Sequence, residues 1–401
     1  MDNAMFCYQC EQTLGGKGCV KAGVCGKDAK VSALQDLLVY QLKGIGWFGQ
    51  QVLDEGGELQ EADQAFVIDG LFSILTNVNF DSARFEELII KAEGIKEKLL
   101  KASTAAVSKS GCGLCPSCRE SSLPASAAYR APVNPELMYE DAKQVGIMAD
   151  GCLDENIRSL RELLIYGLKG MAAYAHHAAV LGKKDKQVSD FFFKALSYAV
   201  DDSAMTVDEL INLNMELGKM NFRCMELLDE ANTGTYGHPV PTRVAITHKK
   251  GPFIVISGHD LKDLKQLLEQ TEGMGINIYT HGEMLPGHAY PKLKRHTHLA
   301  GNFGGAWQDQ QKEFDGIKGS ILMTTNCLQK PRESYKDRIF TTSIVGWPDI
   351  AHIGAAADGR KDFSPLIKKA LKLGGWTDDE PEKTILVGFG HNATLSNADK
   401  I

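Results

Sequence analysis

The N-terminal segment carries four closely spaced cysteines, Cys7, Cys10, Cys19 and Cys25, in the pattern C-x2-C-x8-C-x5-C with five intervening or flanking glycines. A glycine-rich, irregular backbone lets four thiolates converge on one inorganic centre. Zinc and an iron–sulfur cluster both accept four thiolates. Structural zinc sites usually use two CxxC-like pairs and this segment has one, so the spacing favours an iron–sulfur cluster. Four reduced structural thiols are the plainer alternative.

A second group of thiols, Cys112, Cys115 and Cys118, has the spacing C-x2-C-x2-C. It begins like the ferredoxin run C-x2-C-x2-C-x3-C-P, but Ser122 stands where the fourth cysteine would fall. Cys152 or Cys224 would have to complete such a set from a distance. A loop of reactive thiols is favoured over a cluster site here, and the role of this group stays open.

Three polar tetrapeptides follow predicted strands: SGHD at 257–260, THGE at 280–283 and TTNC at 324–327. In an open parallel sheet, ligands bind beyond the carboxyl ends of the strands. His259, Glu283 and Cys327 are therefore expected to project into one crevice. Imidazole, carboxylate and thiolate together can bind iron. Ordinary loop residues at strand ends are an equally weighted alternative on these patterns alone.

The secondary-structure elements that position these residues follow two different sequence patterns. Residues 30 to about 232 show apolar positions at three- and four-residue steps, which predicts packed helices. Ser32 with Gln35 and Thr206 with Glu209 resemble capping boxes. Asp154 is expected to open a long helix, and a loop is expected at 103–135. His176 and His177 are interpreted as helix-end or core histidines rather than ligands.

From about residue 240, short β-rich runs alternate with helical ones. We predict strands at 253–257, 276–280, 320–325, 338–344 and 384–387, and helices at 261–270 and 363–373. This alternation predicts an open, mostly parallel α/β sheet.

Composition excludes several classes of protein. The chain has 401 residues, 43% apolar and 24% charged, with a net charge of −7. These values predict a folded protein of two or three domains. The mild acidity and the lack of a basic stripe argue against a nucleic-acid partner. No run of eighteen apolar residues and no secretory signal is found, so we expect no membrane association and a cytoplasmic location, where thiols stay reduced.

Several sequence motifs resemble those of the hybrid cluster proteins, also called prismane proteins or hydroxylamine reductases. The resemblance rests on FCYQCEQT, SLRELLIYGLKG, LLDEANTGTYG, ISGHDLKDL, YTHGEMLP, TTNC and DRIFTT, and it runs along essentially the whole chain. It implies N-terminal helical bundles followed by a Rossmann-like parallel α/β domain and the start of a second one. The expected bounds are a cluster loop at 1–29, helices at 30–238, the α/β domain at 239–380 and a truncated further domain at 381–401.

The resemblance also implies cofactors and roles. Cys7, Cys10, Cys19 and Cys25 match a [4Fe–4S] cluster that relays electrons. His259, Glu283 and Cys327 match three ligands of a hybrid [4Fe–2O–2S] cluster, where the family reduces hydroxylamine or nitric oxide. The family's other ligands have no counterpart here, so this ligand set is expected to be incomplete.

Three hypotheses remain for the whole chain. The first is a hydroxylamine or nitric oxide reductase that is served by a redox electron donor and is either longer than this sequence or completed by a separate C-terminal fragment. The second is a non-catalytic electron-transfer protein, and the third is an inactive truncated remnant.

Overall fold

The computed structural model describes residues 5–10, 13–109, 123–149, 154–200, 204–325 and 327–400. Cys112, Cys115, Cys118 and Cys152 lie outside these ranges, as does Asn326. Contacts divide the chain into two units. A helical unit comprises the chain up to Leu75, Asp81–Ala179 and Lys183–Leu228, and an α/β unit comprises Thr76–Phe80, Val180–Gly182 and the chain from Asp229. The domain bounds expected at 29, 238 and 380 stay a prediction.

The helical unit follows the cysteine-bearing loop. Its helices are Ala29–Asp54, Glu61–Ser73, Ser82–Lys109, Ala125–Ala128, Pro135–Ala142, Glu155–Val180, Lys186–Tyr198 and the first part of Val207–Tyr236. Glycines let two of these helices approach closely. A Cβ at Gly46 would lie 2.4 Å from Leu196 Cβ, and one at Gly49 would lie 2.3 Å from the Phe193 ring. The first long helix therefore packs against Lys186–Tyr198 with almost no space between them.

The first helix begins earlier than its sequence pattern predicts. Asp28 is the N-cap, and its carboxylate accepts a hydrogen bond from Val31 N at 2.8 Å. The capping box expected at Ser32 and Gln35 is wrong, because Asp28 already satisfies the free N–H groups of the first turn. Both residues are buried within the helix.

The second capping box is confirmed. Glu209 Oε2 accepts from Thr206 N at 2.8 Å, and Glu209 N donates to Thr206 Oγ1 at 3.3 Å. Asp154 caps the long helix as expected, accepting from Asn156 N at 2.8 Å. The loop predicted at 103–135 is wrong in part, since helix Ser82–Lys109 continues into it.

The α/β unit is built on a six-stranded parallel sheet. Its strands are β2 (Phe253–Ser257), β3 (Asn277–His281), β4 (Leu299–Asn302), β5 (Ser320–Met323), β6 (Ile339–Thr342) and β7 (Ala351–Ile353), arranged in the order β4-β3-β2-β5-β6-β7. All pairs are parallel. The parallel sheet expected from the sequence is confirmed.

Two further strands lie outside this sheet. β1 (Thr242–Ala245) pairs antiparallel with β8 (Thr384–Val387). The predicted strand at 384–387 therefore exists, but it does not extend the parallel sheet. The residues of β8 are exposed or partly buried, whereas every residue of β2 and β5 is buried.

Helices cover the sheet. Helix Leu261–Thr271 follows β2, and helix Ser364–Leu373 follows β7. Leu264, Leu267, Leu366 and Ile367 pack with sheet residues in one apolar core. Shorter helical segments lie at Gly282–Ala289, Pro291–Lys294, Trp307–Asp309, Gln310–Glu313, Lys336–Arg338 and His391–Leu395.

Within the described ranges, no helix combines the length and apolar character needed to cross a membrane.

Candidate metal centres

Three adjacent strands of the parallel sheet end next to candidate metal ligands. β3, β2 and β5 are neighbours in the sheet. His259 lies two residues after β2, Glu283 two residues after β3 and Cys327 four residues after β5. Because the strands are parallel, all three ligands emerge at the same edge of the sheet. The structure thus brings together the three residues singled out from the sequence.

The three ligand atoms converge within 4.8 Å of one another. His259 Nε2 lies 2.7 Å from Glu283 Oε2, and Cys327 Sγ donates to the same carboxylate oxygen at 3.2 Å. Two hydrogen-bearing groups therefore point at one oxygen. A cation in this place would replace both hydrogens and satisfy all three groups. The donor set of nitrogen, oxygen and sulfur suits iron.

Neighbouring polar groups orient the ligands. Thr325 Oγ1 accepts from His259 N at 2.8 Å and lies 3.2 Å from His259 Nδ1, which turns Nε2 towards Glu283. Gln310, which is fully buried, donates to the carbonyl of Cys327 at 2.5 Å. Such supporting contacts fix ligand geometry in metal sites.

Cys327 has an uncommon backbone conformation. Its φ is +79°, in the region that non-glycine residues rarely adopt. The residue after it is fixed by Asn77, since Leu328 N donates to Asn77 O at 3.1 Å and Asn77 Nδ2 donates to Leu328 O at 3.0 Å. Strain of this kind persists where surrounding contacts enforce it, and it concentrates at functional sites.

The pKa values of the carboxyl group and the thiol of this site are shifted in opposite directions. The hydrogen bond from His259, aided by the one from Cys327, lowers the pKa of Glu283 to about 2. Burial, with the charge of Glu283, raises the pKa of the Cys327 thiol well above its ordinary value. The carboxylate is therefore ready to bind a cation, whereas the thiol must lose its proton to do so.

The N-terminal cysteines lie in an irregular loop of the helical unit. Cys7 and Cys19 pair through their backbones, with N–O distances of 3.1 Å and 2.8 Å. Cys19 is buried, and Cys7, Cys10 and Cys25 are partly buried. Gly18 has a φ of +125°, and a Cβ there would lie 2.6 Å from the Phe6 ring. Only glycine allows the loop to fold this closely.

The sulfurs of the loop lie farther apart than the ligand atoms of the first group. In the described residues, His259, Glu283 and Cys327 form the one group of three or more ligand atoms within 4.8 Å. Four thiolates on one zinc ion would place the sulfurs about 4 Å apart, since Zn–S bonds are about 2.3 Å. No three of the four cysteine sulfurs lie within 4.8 Å of one another in the described residues.

Hydrogen bonds tune the thiols of this loop. Burial opposes ionisation of Cys19, but backbone hydrogen bonds from Leu14 and Val24, with that of Thr13, outweigh it and lower the thiol pKa. Burial raises the pKa of Cys25. Tyr8 Oη donates to Glu162 at 2.6 Å, which ties the loop to helix Glu155–Val180.

The sequence as a whole is similar to those of one protein family. Residues 5–399 match the Prismane/CO dehydrogenase family, which is nearly the whole chain. The chain belongs to this family.

Curated relatives within the family carry one name. A protein named hydroxylamine reductase from Kosmotoga olearia is 49% identical over 399 residues, covering 99% of this chain and 70% of the relative. One with the same name from Syntrophobacter fumaroxidans is 47% identical over 397 residues, with the same coverage. A third, from Methanocella arvoryzae, is also 47% identical.

Solved structures give a weaker likeness. Carbon monoxide dehydrogenase IV from Carboxydothermus hydrogenoformans is 13% identical, with a TM-score of 0.40. The match covers 99% of this chain, which spans 60% of that protein's length. At this score the likeness carries no argument about function.

Sequence reasoning missed the residues that support the candidate ligands. Thr325 lies inside the TTNC motif, so its position gave a signal. Gln310 and Asn77 lie far from any motif, and no pattern marks them. Lys27, which follows the fourth cysteine by two residues, was not singled out either.

Proposed function

We propose that this chain is an iron–sulfur reductase that converts hydroxylamine into ammonia and water. The reaction takes up two electrons and two protons per hydroxylamine. By its family the chain is an oxidoreductase related to hydroxylamine reductases. The observation that carries the proposal is the convergence of His259, Glu283 and Cys327 at the ends of three adjacent parallel strands.

The ligand chemistry supports two metal centres. Cys7, Cys10, Cys19 and Cys25 would hold a [4Fe–4S] cluster that passes electrons onward. His259, Glu283 and Cys327 would hold part of a hybrid iron–sulfur–oxygen cluster. When bound, that cluster supplies redox-active iron that accepts a nitrogen–oxygen substrate.

The side chains of this chain prepare the second site. Thr325 keeps the imidazole of His259 turned so that Nε2 faces the ligand position. The low pKa of Glu283 keeps its carboxylate ionised, and its Oε2 accepts a hydrogen bond from the thiol of Cys327. Gln310 fixes the Cys327 backbone so that Sγ stays directed at the same point.

Further ligands for a hybrid cluster lie elsewhere. Within the part of the chain that the structure describes, no fourth His, Cys, Asp or Glu joins this group. We propose that a hybrid cluster takes further ligands beyond these three, and a separately made C-terminal fragment is one source to test. A low-potential one-electron donor would supply the electrons, and nitric oxide is the second substrate to test.

The proposal is tested on protein purified without oxygen. Iron, acid-labile sulfide and the reduced-state paramagnetic resonance spectrum are measured first, and then ammonia formation from hydroxylamine with a reduced viologen dye. We expect ammonia equal to the hydroxylamine consumed. Glu283→Gln should reduce the rate by at least about 100-fold, the upper end of what loss of a supporting partner costs.

Glu333→Gln is the matched control, because Glu333 is 90% exposed in its side chain and contacts only Lys336 at 3.8 Å among its described ion pairs. It should leave the rate unchanged. Protein that contains iron and sulfide but forms no ammonia would favour an electron-transfer role. Equal rates for Glu283→Gln and Glu333→Gln would contradict the proposal that Glu283 belongs to the catalytic site.

A further inference from the structure

A buried lysine lies against the N-terminal cysteines. The side chain of Lys27 is almost fully buried, with the residue 4% exposed. Its Nζ donates to Gln35 Oε1 at 2.6 Å and lies 3.6 Å from Cys7 Sγ. Lysines are almost never buried this deeply without a partner. Since Gln35 is neutral, it orients the ammonium group but does not balance its charge.

Both members of this pair are held by rigid backbone. Gly23 N donates to Lys27 O at 2.8 Å, which closes the turn after Cys25. Asp28, the next residue, caps helix Ala29–Asp54. Gln35 lies in that helix and is 2% exposed. The ammonium group therefore keeps its place beside Cys7 without the mobility of a surface lysine.

Other charged side chains, two of them buried, line a cavity with the same cysteine. A small cavity next to Cys7 is lined by Asp36, Lys43, Glu162 and Lys169, all of the helical unit. Lys43 and Lys169 are each 6% exposed. Burial raises the pKa of Asp36 to about 7, although Lys169 opposes the shift. Burial lowers the pKa of Lys169.

The thiol of Cys7 is placed to balance the charge of Lys27. The Lys27 Nζ lies 3.6 Å from Cys7 Sγ, whereas its hydrogen-bond acceptor at 2.6 Å, Gln35 Oε1, is neutral. Burying a charge without a partner of opposite sign is costly. A cluster held by four thiolates is negatively charged, and it supplies the missing partner.

We propose that Lys27, oriented by Gln35, raises the reduction potential of the iron–sulfur cluster held by Cys7, Cys10, Cys19 and Cys25. The inference rests on the proposed function, because it requires that cluster. Reduction moves one electron from an external one-electron reductant onto the cluster, and no bond forms or breaks. A fixed positive charge next to a ligand sulfur stabilises the more negative, reduced form.

The test is a redox titration of the whole iron-loaded chain, followed by paramagnetic resonance. Lys27→Met should lower the midpoint potential of the N-terminal cluster. At the wild-type midpoint, the ratio of reduced to oxidised cluster should fall about tenfold, which is about 59 mV for one electron. Lys27→Arg keeps the charge and should restore most of the potential. The shift should persist in high salt, since buried charges are little screened.

Lys96→Met is the matched control. Lys96 is also fully buried in the helical unit, and its Nζ is likewise held by a glutamine, Gln41, at 2.5 Å. Its charge partner is Glu93 at 3.0 Å. This variant removes a buried ammonium group and costs stability, but the cluster potential should stay at the wild-type value.

A loaded Lys27→Met protein with an unmoved potential overturns the inference. If Lys27→Met does not assemble its cluster, Gln35→Glu decides, because it keeps the lysine and neutralises its charge with a carboxylate. An unchanged potential in loaded Gln35→Glu then overturns the inference, and a lowered one supports it. A wild-type chain that takes up no iron on these cysteines overturns the proposed function and the inference with it.

Discussion

His288 shows how one buried titratable residue secures the segment that carries Glu283. The residue is 5% exposed and lies in the 3₁₀ helix Gly282–Ala289. Its Nε2 lies 3.1 Å from the carbonyl of Gly301 and 2.9 Å from Thr280 Oγ1. Burial lowers the pKa of His288 to about 4 from its ordinary 6.5. The folded protein therefore holds this imidazole neutral.

The sign of the resulting pH dependence follows from that shift. Below pH 6.5 the unfolded chain binds a proton that folded His288 does not. Its contribution to stability is complete above pH 6.5 and is lost as the pH falls towards about 4, by on the order of 3 kcal/mol. His288→Gln keeps a donor near the Gly301 carbonyl and does not titrate. Urea unfolding at several pH values should show a shallower acid loss in this variant, and parallel curves would contradict the assignment.

Single residues differ in how far sequence can predict them. His259, Glu283 and Cys327 follow apolar runs that read as buried strands, so their meeting point could be predicted from topology. No sequence pattern of this kind identifies Gln310 or Lys27. A buried glutamine or lysine looks like a surface residue in sequence, and only the packing around it reveals its partner.

At the scale of elements, the central strands were predictable and the edge strands were not. β2 and β5 are buried on both faces and read as continuous apolar runs. β4 and β7 form the two edges of the sheet. Their sequences, LAGN and AHI, are short and contain glycine, asparagine or histidine. Edge strands are commonly short and polar because this discourages pairing with other chains.

The turn between β2 and its helix depends on one glycine. Gly258 has a φ of +107°, and a Cβ there would lie 2.4 Å from Thr324 Oγ1 and 2.8 Å from Thr325 N. Gly258→Ala would have to displace the TTNC backbone as well as strain its own. We expect a loss of about 3 kcal/mol in the free energy of unfolding, together with loss of iron from the second site.

Gly273→Ala separates these two effects. Gly273 also has a positive φ, +73°, but a Cβ there would meet nothing within 4 Å. It should cost about 1 kcal/mol, from backbone strain alone, and leave the iron content unchanged. Equal losses of stability and iron in both alanine variants would show that the close contact with Thr324 is unimportant.

At the scale of the whole molecule, each proposed ligand set belongs to one contact unit. The four N-terminal cysteines lie in the helical unit, and His259, Glu283 and Cys327 lie in the α/β unit. Neither unit supplies a described ligand to the other's group. Iron loading of one set should therefore not depend on the ligands of the other.

This independence is testable on the full chain. His259→Asn should reduce the iron content but leave the paramagnetic signal of the N-terminal cluster, whereas Cys19→Ser should abolish that signal. Cys224→Ser is the control, because Cys224 is a buried thiol that contacts the Met171 carbonyl at 3.6 Å. Loss of the N-terminal signal in His259→Asn would mean that the two sites assemble together.

The passage of Thr76–Phe80 into the α/β unit has a consequence for synthesis on the ribosome. Asn77 binds the backbone of Leu328, 251 positions later in the chain. At translation rates of about 5 to 20 residues per second, Asn77 emerges roughly 13 to 50 s before its partner. The contact that fixes the backbone beside Cys327 can form only after Leu328 has emerged. The three ligands of the second site therefore cannot take their final geometry before residue 328 has been translated.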